Sequence, residues 1–563
     1  MTAPVLRLAL CWHMHQPQYR HAISGRYLKP WTWLHGIKDY TDMAAHLESV
    51  PGARAVVNFS SILLLQLEDY AARIARWRIE GLPIGDLLLD ALGGRLPDSA
   101  AGSLAITEAC LHAHKSHMIE AFPPFAELHA QAREAVKNGR PLDDASLCDL
   151  VTWYHLAWTG ESLRRGHPVL RTLLGKADAF SRDDGRELLM LIGSVLADIV
   201  PRFRRLAENG TVELSMTPHG HPILPLLVDL GVAREAMPDV SLPGVRYPGG
   251  LERCRWHVGR AVAEFERHFG HRPAGCWPSE GGVSREILEL LAESGFAWTA
   301  TGTNVLRNSI GRAAEAAHFS AWRFGGDAAG DAQGMTCFFR DDDLSDRIGF
   351  QYSSWAAEHA VDDFIARLEA VRRNWRGPET PVVSMIMDGE NAWEHYPYNA
   401  WYFLQHLYSA LVRHEHIELT TYRDLLAGGL TSEPLPRLIA GSWVYGDFSV
   451  WIGDPQKNRA WELLVAAKTA ADRVLSNSDL SATAREAILE QLAVCEGSDW
   501  FWWLGRDNRP EDSVDFDDLF RTHLEVLYRL LGEPLPGHLE AIAAPSSEAA
   551  TAGVGGAMRR AGR

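Results

Sequence analysis

Two acidic segments carry the residues best suited to chemistry: Cys276-Trp-Pro-Ser-Glu-Gly-Gly282 and Met385-Ile-Met-Asp-Gly-Glu-Asn-Ala-Trp-Glu394. Each sets a carboxylate beside glycine and tryptophan, directly after an apolar run that reads as a buried strand. Paired carboxylates on separate strand ends, among aromatic rings, are what cleavage of a sugar–sugar bond requires. One attacks or stabilises the anomeric carbon while the other protonates the leaving oxygen. Glu280 is the candidate nucleophile and Asp388 the candidate acid/base. Glu390, two residues on, is an alternative acid, but Asp388 sits nearer the strand end. Pro278 cannot continue a strand ladder, Gly281 and Gly282 give close backbone access, and Trp277 is placed to wall the site and raise a neighbouring carboxyl pKa. The bland alternative is two ordinary acids that end strands and cap helices.

Histidines supply the next signal. His13-Met14-His15-Gln16-Pro17 follows the first apolar run, and Met216-Thr-Pro-His-Gly-His221 ends another. A His-x-His pair reads either as metal ligation or as hydrogen bonding to substrate hydroxyls. Trp12 and Gln16 beside the first pair favour neutral sugar-type contacts. Two such pairs, with Glu280 or Asp388 as extra ligands, keep a metal-dependent hydrolase open as an alternative. The ring-rich stretches Trp443–Trp461, which includes Asp447 and Trp451, and Ser498–Gly505, which includes Trp500, read as sugar-stacking walls or as aromatic plugs between domains. Phe339–Tyr352 contains an acid run that reads as a solvated loop, with Arg340 and Asp346 within reach of a cleft.

The elements that must hold these groups alternate. Val5–Cys11, Ala55–Phe59, Val212–Ser215, Ala274–Trp277, Ala297–Ala300 and Val382–Met387 read as strands, with Ile417–Thr420 a further candidate. Strand–helix alternation over several hundred residues predicts an α/β fold, a parallel sheet or barrel with active groups at the strand C-termini. Helical spacing in Leu63–Trp77 and Glu187–Val200 predicts a mostly helical insertion at about 61–205, within a catalytic barrel domain spanning 1–430. From about Pro434 strand signals fade, and amphipathic stretches such as Trp461–Lys468 and Asp518–Leu531 predict a helical domain over 431–543 that contributes to the cleft. The small, polar residues 544–563 read as a disordered tail.

Composition excludes several classes. A net charge of −17 argues against nucleic acid or an anionic membrane as partner, whereas a neutral polymer is indifferent to it. Seven scattered cysteines without a CxxC spacing fit reduced thiols rather than a disulfide framework or a zinc ribbon. The N-terminal run lacks the basic flank and length of a signal peptide, and no apolar stretch is long enough to span a bilayer. A cytoplasmic protein is expected.

In order along the chain, the H-x-H-Q-P segment, the strand followed by H-P-I-L-P, the W-P-S-E segment, the D-G-E-N-A-W-E segment and the W-I-G segment ending N-R-A-W resemble the five sequence regions of glycoside hydrolase family 57. The resemblance runs from about Leu8 to Gly505. It implies an incomplete, seven-stranded (β/α)7 TIM-like barrel followed by an α-helical bundle, and retention of configuration on α-glucans. It implies Glu280 as nucleophile, Asp388 as acid/base, His15 and His221 at the cleavage point, and neither a catalytic metal nor a cofactor. The D-W-F-W-W stretch resembles amylases and amylopullulanases of that family. At His219-Gly220 the chain departs from the bulkier aromatic pair expected there. The expected activity is α-amylase-like hydrolysis of starch, glycogen or maltooligosaccharides, with a 4-α-glucanotransferase or branching-type transglycosylase as alternative. Expected substrate contacts are His13, His15, Gln16, His221, Trp277, Glu390, Trp393, Trp443, Asp447, Trp451 and Trp500.

Overall fold

The computed structural model describes residues 4–311, 316–325, 334–506, 508, 510–537, 539 and 542. The tail expected at 544–563 lies outside them. Among the described residues ten strands follow in chain order: β1 (Leu6–Met14), β2 (Ala55–Ser60), β3 (Val212–Thr217), β4 (Gly275–Cys276), β5 (Trp298–Gly302), β6 (Trp322–Phe324), β7 (Met335–Arg340), β8 (Val382–Asp388), β9 (Ile417–Thr420) and β10 (Glu433–Pro434). Seven of them, β1-β2-β3-β4-β5-β7-β8, pair in parallel around a ring that closes where β8 meets β1. The ring is a seven-stranded TIM-like barrel. β6 pairs antiparallel outside β7, and β9 joins only the first half of β1, at Leu6–Ala9.

The seventh barrel strand is β7, which the acid run at Phe339–Tyr352 disguises as a loop. Met-Thr-Cys-Phe-Phe-Arg is buried throughout and shows no alternation, as expected of a strand covered on both faces. Its terminal Arg340 stays inside because Nη1 donates to Asp342 Oδ1 and Nη2 to Asp346 Oδ1, each at 2.8 Å, and Nε donates to the Ile386 carbonyl at 2.7 Å. Charge there marks a buried pairing, not a surface.

Register sets the working rim. His13 lies opposite Asp388 on one side and Asn58 on the other, and Ser60 lies opposite Thr217. Gly389 makes the turn after β8 possible: its N–H donates to the His13 carbonyl at 2.7 Å, and a Cβ there would collide with Met14 Sδ. Between β2 and β3 the chain is helical, from Ser61–Glu80 through Arg182–Glu208, and no strand follows β10 among the described residues. The last helices are Pro455–Leu475, Ala482–Cys495, Ser498–Trp502 and Pro510–Leu531. Among the described residues no helix is long and apolar enough to cross a membrane, and all seven cysteines are free.

β4 is the barrel's narrowest stave, two residues long, meeting β3 at the single pair Met216–Cys276. The Trp298 ring occupies the space that a Cβ on Gly275 would need, and its Nε1–H donates to buried Glu213 Oε1 at 2.7 Å. Gly275→Ala must displace that ring, and is expected to cost about 1–3 kcal/mol in denaturant unfolding. An unchanged unfolding midpoint would contradict this packing.

Candidate active site

Glu280 stands just beyond β4 on a turn that strains its own backbone. Its φ of 56° lies in the left-handed region, as does the 57° of His221, a conformation costly for residues with a side chain. The turn is pinned because the Trp443 N–H donates to the Glu280 carbonyl at 3.0 Å and Thr301 Oγ1 donates to the Gly281 carbonyl at 2.6 Å. Two side-chain donors face the carboxylate: Trp443 Nε1–H at 2.9 Å from Oε2, and the Ser498 hydroxyl at 3.4 Å from Oε1. Burial, and then the charges of Asp388 and Asp499, still push its pKa well above the usual carboxylate range.

Asp388 ends β8 across the same cleft. Burial raises its pKa to about 6, against the lowering effect of Asn391 Nδ2–H, which donates to Oδ2 at 2.9 Å, and of the nearby His15 and Arg340. Glu390 is buried more deeply, at 2% exposure, and accepts from the His15 backbone N–H at 3.2 Å and from Gln16 Nε2–H at 3.3 Å. The Tyr40 hydroxyl faces it too, and burial with the neighbouring Asp388 charge holds its pKa well up. A proton on Glu390 makes it a hydrogen-bonding post rather than a second anion.

The histidines form a relay with a fixed direction. Asn58 Oδ1 can only accept, so His13 Nδ1–H, 2.7 Å away, donates. Burial lowers the His13 pKa to about 3 and that of His221 well below normal, so both rings are neutral. His13 Nε2 therefore accepts from His221 Nε2–H at 3.1 Å, which leaves His221 Nδ1 as an acceptor 2.9 Å from the Ser498 hydroxyl. Ser498 has one hydrogen to share between His221 and Glu280. His15 stacks on His221 with centroids 3.8 Å apart and places Nε2 3.2 Å from both Asp499 oxygens.

His13, His15, Gln16, His221, Glu280, Asp388 and Glu390 all line one cleft. A family model, Glycosyl hydrolase family 57, matches residues 9–434. The chain belongs to glycosyl hydrolase family 57. A branching enzyme of this type from Pyrococcus horikoshii matches with a TM-score of 0.59 at 15% identity, over 93% of this chain and 89% of that one. An α-amylase from Thermotoga maritima matches at 0.56 and 13%, over 94% and 93%, and a 4-α-glucanotransferase from Thermococcus litoralis at 0.51 and 14%, over 93% and 60%. These likenesses speak to the fold. A search of curated proteins returns no match.

In this family 57 chain the expected tryptophans split into support and surroundings. Trp277 is fully buried, lies under Gly281 and meets Trp443 edge-on at 5.4 Å, so it carries the turn that aims Glu280. Trp393 is buried against Trp12 and donates to the Gly389 carbonyl at 2.7 Å. Trp451 and Trp500 are core residues behind the wall, and Asp447 Oδ1 is turned onto Ser449. The rings that do line the cleft are Trp31, Trp502, Trp503 and Phe516, joined by Tyr19, His35, Asn391 and Asp499. Arg340 does not line it, but its guanidinium lies 5.2 Å over the Trp443 ring. His15, His221 and Asp499 bring ligand atoms within 4.8 Å of one another. His219, the fourth histidine of the two pairs, points instead at Ser61 Oγ and Glu490 Oε2, each 2.8 Å away.

The departure at His219-Gly220 has a packing cause. Gly220 has φ +74°, and a Cβ there would lie 2.6 Å from the Ala493 carbonyl oxygen, so the helix Ala482–Cys495 can approach only over a glycine. One residue past that helix, Glu496 is buried and takes Arg253 Nη2–H at 2.6 Å, His257 Nε2 at 2.6 Å and the Tyr247 hydroxyl. This cluster holds the chain that carries Ser498 and Asp499 against the barrel. Burial pushes the Glu496 carboxyl up, but the charges and hydrogen bonds of Arg253 and His257 together outweigh it and depress the pKa from its ordinary 4.5 to about 2. A depressed folded-state pKa stabilises above the unfolded value. The contribution, about 3 kcal/mol, is therefore complete above roughly pH 4.5 and gone by about pH 2. Glu496→Gln is expected to unfold more easily at pH 7 and to lose much of the wild type's acid sensitivity over that window. Equal stability of the two proteins at pH 7 would contradict the assignment.

Proposed function

We propose that this protein is a retaining enzyme of α-glucans that works by double displacement, with α-amylase-like hydrolysis of starch, glycogen or maltooligosaccharides as its reaction. Glu280, ionised, attacks the anomeric carbon while Asp388 gives its proton to the departing glycosidic oxygen. Asp388, now a carboxylate, takes a proton from water, whose oxygen then displaces Glu280. A sugar hydroxyl in place of that water turns the same cycle into 4-α-glucanotransfer or branching.

What carries this reading is the pair itself: two carboxylates with raised pKa values lining one ring-walled cleft, with Trp443 and Ser498 as donors that favour the anion at Glu280. Like charges so placed hold one proton between them; burial pushes Glu280 up further than Asp388, and the Trp443 indole opposes this by favouring at Glu280 the anion that the chemistry needs, with the proton on Asp388. His15, Gln16 and Glu390 are then the polar groups offered to sugar hydroxyls, with Asp499 3.2 Å from His15 Nε2, while His13 and His221, whose ring nitrogens are taken up by Asn58, each other and Ser498, stand behind them at the cleavage point. Family membership and the α-glucan enzymes of the same fold favour the same substrate class.

Incubation with maltooligosaccharides, amylose and pullulan, followed by chromatography, is expected to give shorter sugars. Longer products mean transfer, and no change in any substrate would refute the reading. Glu280→Gln is expected to lower kcat by several orders of magnitude with an unchanged melting temperature; near-wild-type turnover would remove Glu280 from the mechanism. Chelator is expected to leave activity intact, and its loss would favour a metal centre at His15, His221 and Asp499. Activity should fall as pH rises through the Asp388 pKa of about 6. Asn391 donates to the Asp388 anion and so lowers that pKa. Asn391→Ala is thus expected to move the alkaline limb to higher pH, and a limb moved the other way would contradict the assignment.

A further inference from the structure

Beyond the cleft, the turn Pro397–Ala400 is held in a conformation its residues resist. Tyr398, Asn399 and Ala400 have φ of 54°, 51° and 57°, three consecutive non-glycine residues in the left-handed region. A buried network holds them there. Asn399 Nδ2–H donates to Asp42 Oδ2 at 2.9 Å, and Asn399 Oδ1 accepts from Lys38 Nζ at 3.2 Å. Lys38 also donates to Asp39 Oδ1 at 2.6 Å, and Asp39 Oδ2 lies 2.6 Å from Nδ1 of His35, a residue of the cleft wall. The turn is thus tied to the cleft through three side chains. It belongs to the connection leaving the Asp388 end of β8, so it stands on the same face of the barrel.

What this rigid support presents to solvent is aromatic. Tyr398 is 56% exposed and Tyr402 51%, with ring centroids 5.4 Å apart at 89°. Arg165 is stacked 5.3 Å from Trp401 and 5.2 Å from Tyr402. It donates to the Tyr402 hydroxyl at 3.0 Å while its Nε–H is held by Glu161 Oε1 at 2.8 Å. Asp42 accepts from the Glu161 and Ser162 backbone N–H groups, so one buried carboxylate braces both sides of the patch. Two solvent-facing rings fixed at right angles, with a guanidinium beside them, suit the C–H faces and hydroxyls of pyranose rings, and pre-ordering lowers the entropy cost of binding.

We propose that Tyr398, Tyr402 and Arg165 form an outlying subsite on the cleft rim for the far end of a long α-glucan chain. The proposal rests on the α-glucan reading of the cleft and adds to it a preference for polymer over short sugars. The test compares kinetics on amylose and on maltotetraose for the wild type and for Tyr398→Ala/Tyr402→Ala. KM for amylose is expected to rise about tenfold in the double variant, with kcat and the maltotetraose kinetics unchanged. Tyr398→Phe, which keeps the ring, is expected to retain the wild-type KM. If the double variant also loses maltotetraose activity, Tyr398→Gly, which suits the left-handed backbone, decides by the same rise in KM for amylose. An unchanged amylose KM overturns the proposal. So does a change only in sedimentation mass, which would make the patch a self-association surface. A wild type inactive on both substrates overturns the α-glucan reading and the subsite together, whereas an active wild type with indifferent variants overturns the subsite alone.

Discussion

Two carboxylates facing one cleft repel each other, and the rest of this structure is arranged around that repulsion. Burial alone raises both pKa values, and the charge of Asp388 raises that of Glu280 further. A surface would relieve the conflict with water. Here it is met by oriented groups: the Trp443 indole and the Ser498 hydroxyl at Glu280, Asn391 and the more distant Arg340 charge at Asp388. Such groups need no reorganisation when charge develops, which is why preorganised dipoles outperform solvent in a reacting site. The strained backbones of Glu280 and His221 belong to the same bargain, since left-handed turns bring both side chains into the cleft from the ends of short strands.

Two separate parts of the chain must meet for this to work. The barrel register sets His13 beside Asp388 and Asn58, so half of the polar floor is fixed by strand pairing alone. The other half arrives from the C-terminal helices, as Ser498, Asp499, Trp502, Trp503 and Phe516. Their contact with the barrel is a close backbone approach at Gly220 and a buried Arg253–Glu496–His257 cluster rather than a broad apolar seam alone. A buried ion pair is a modest source of net stability but a strict one of geometry, because removing either partner strands the other. That suits a contact whose task is to place Ser498 between His221 and Glu280.

Much of this was legible in the amino-acid sequence because the signals are local. Glu280 and Asp388 follow apolar runs and precede glycines, and both His-x-His pairs end strands. What escaped depends on contacts distant along the chain. β7 was hidden because the charges following it are buried partners of Arg340 rather than a solvated loop. Asn58 looked like one polar residue within a strand until pairing set it beside His13. In Ser498–Gly505 the tryptophans divide: Trp500 is core, whereas Trp502 and Trp503 line the cleft with Asp499, and Ser498 reaches Glu280. Periodicity cannot tell a ring in a wall from a ring behind it. The same limit split the second histidine pair, whose left-handed turn sends His221 inward and His219 toward Glu490.

The central claim is that Glu280 becomes covalently bound to sugar. The direct measurement is intact-protein and peptide mass spectrometry after incubation with a fluorinated α-glucosyl fluoride, which slows the second displacement more than the first. The account predicts a mass increase of one fluoroglucosyl residue, located on the peptide that contains Glu280 and absent from Glu280→Gln. A label on Asp388 or Glu390, or turnover of the reagent with inverted configuration and no adduct, would contradict it.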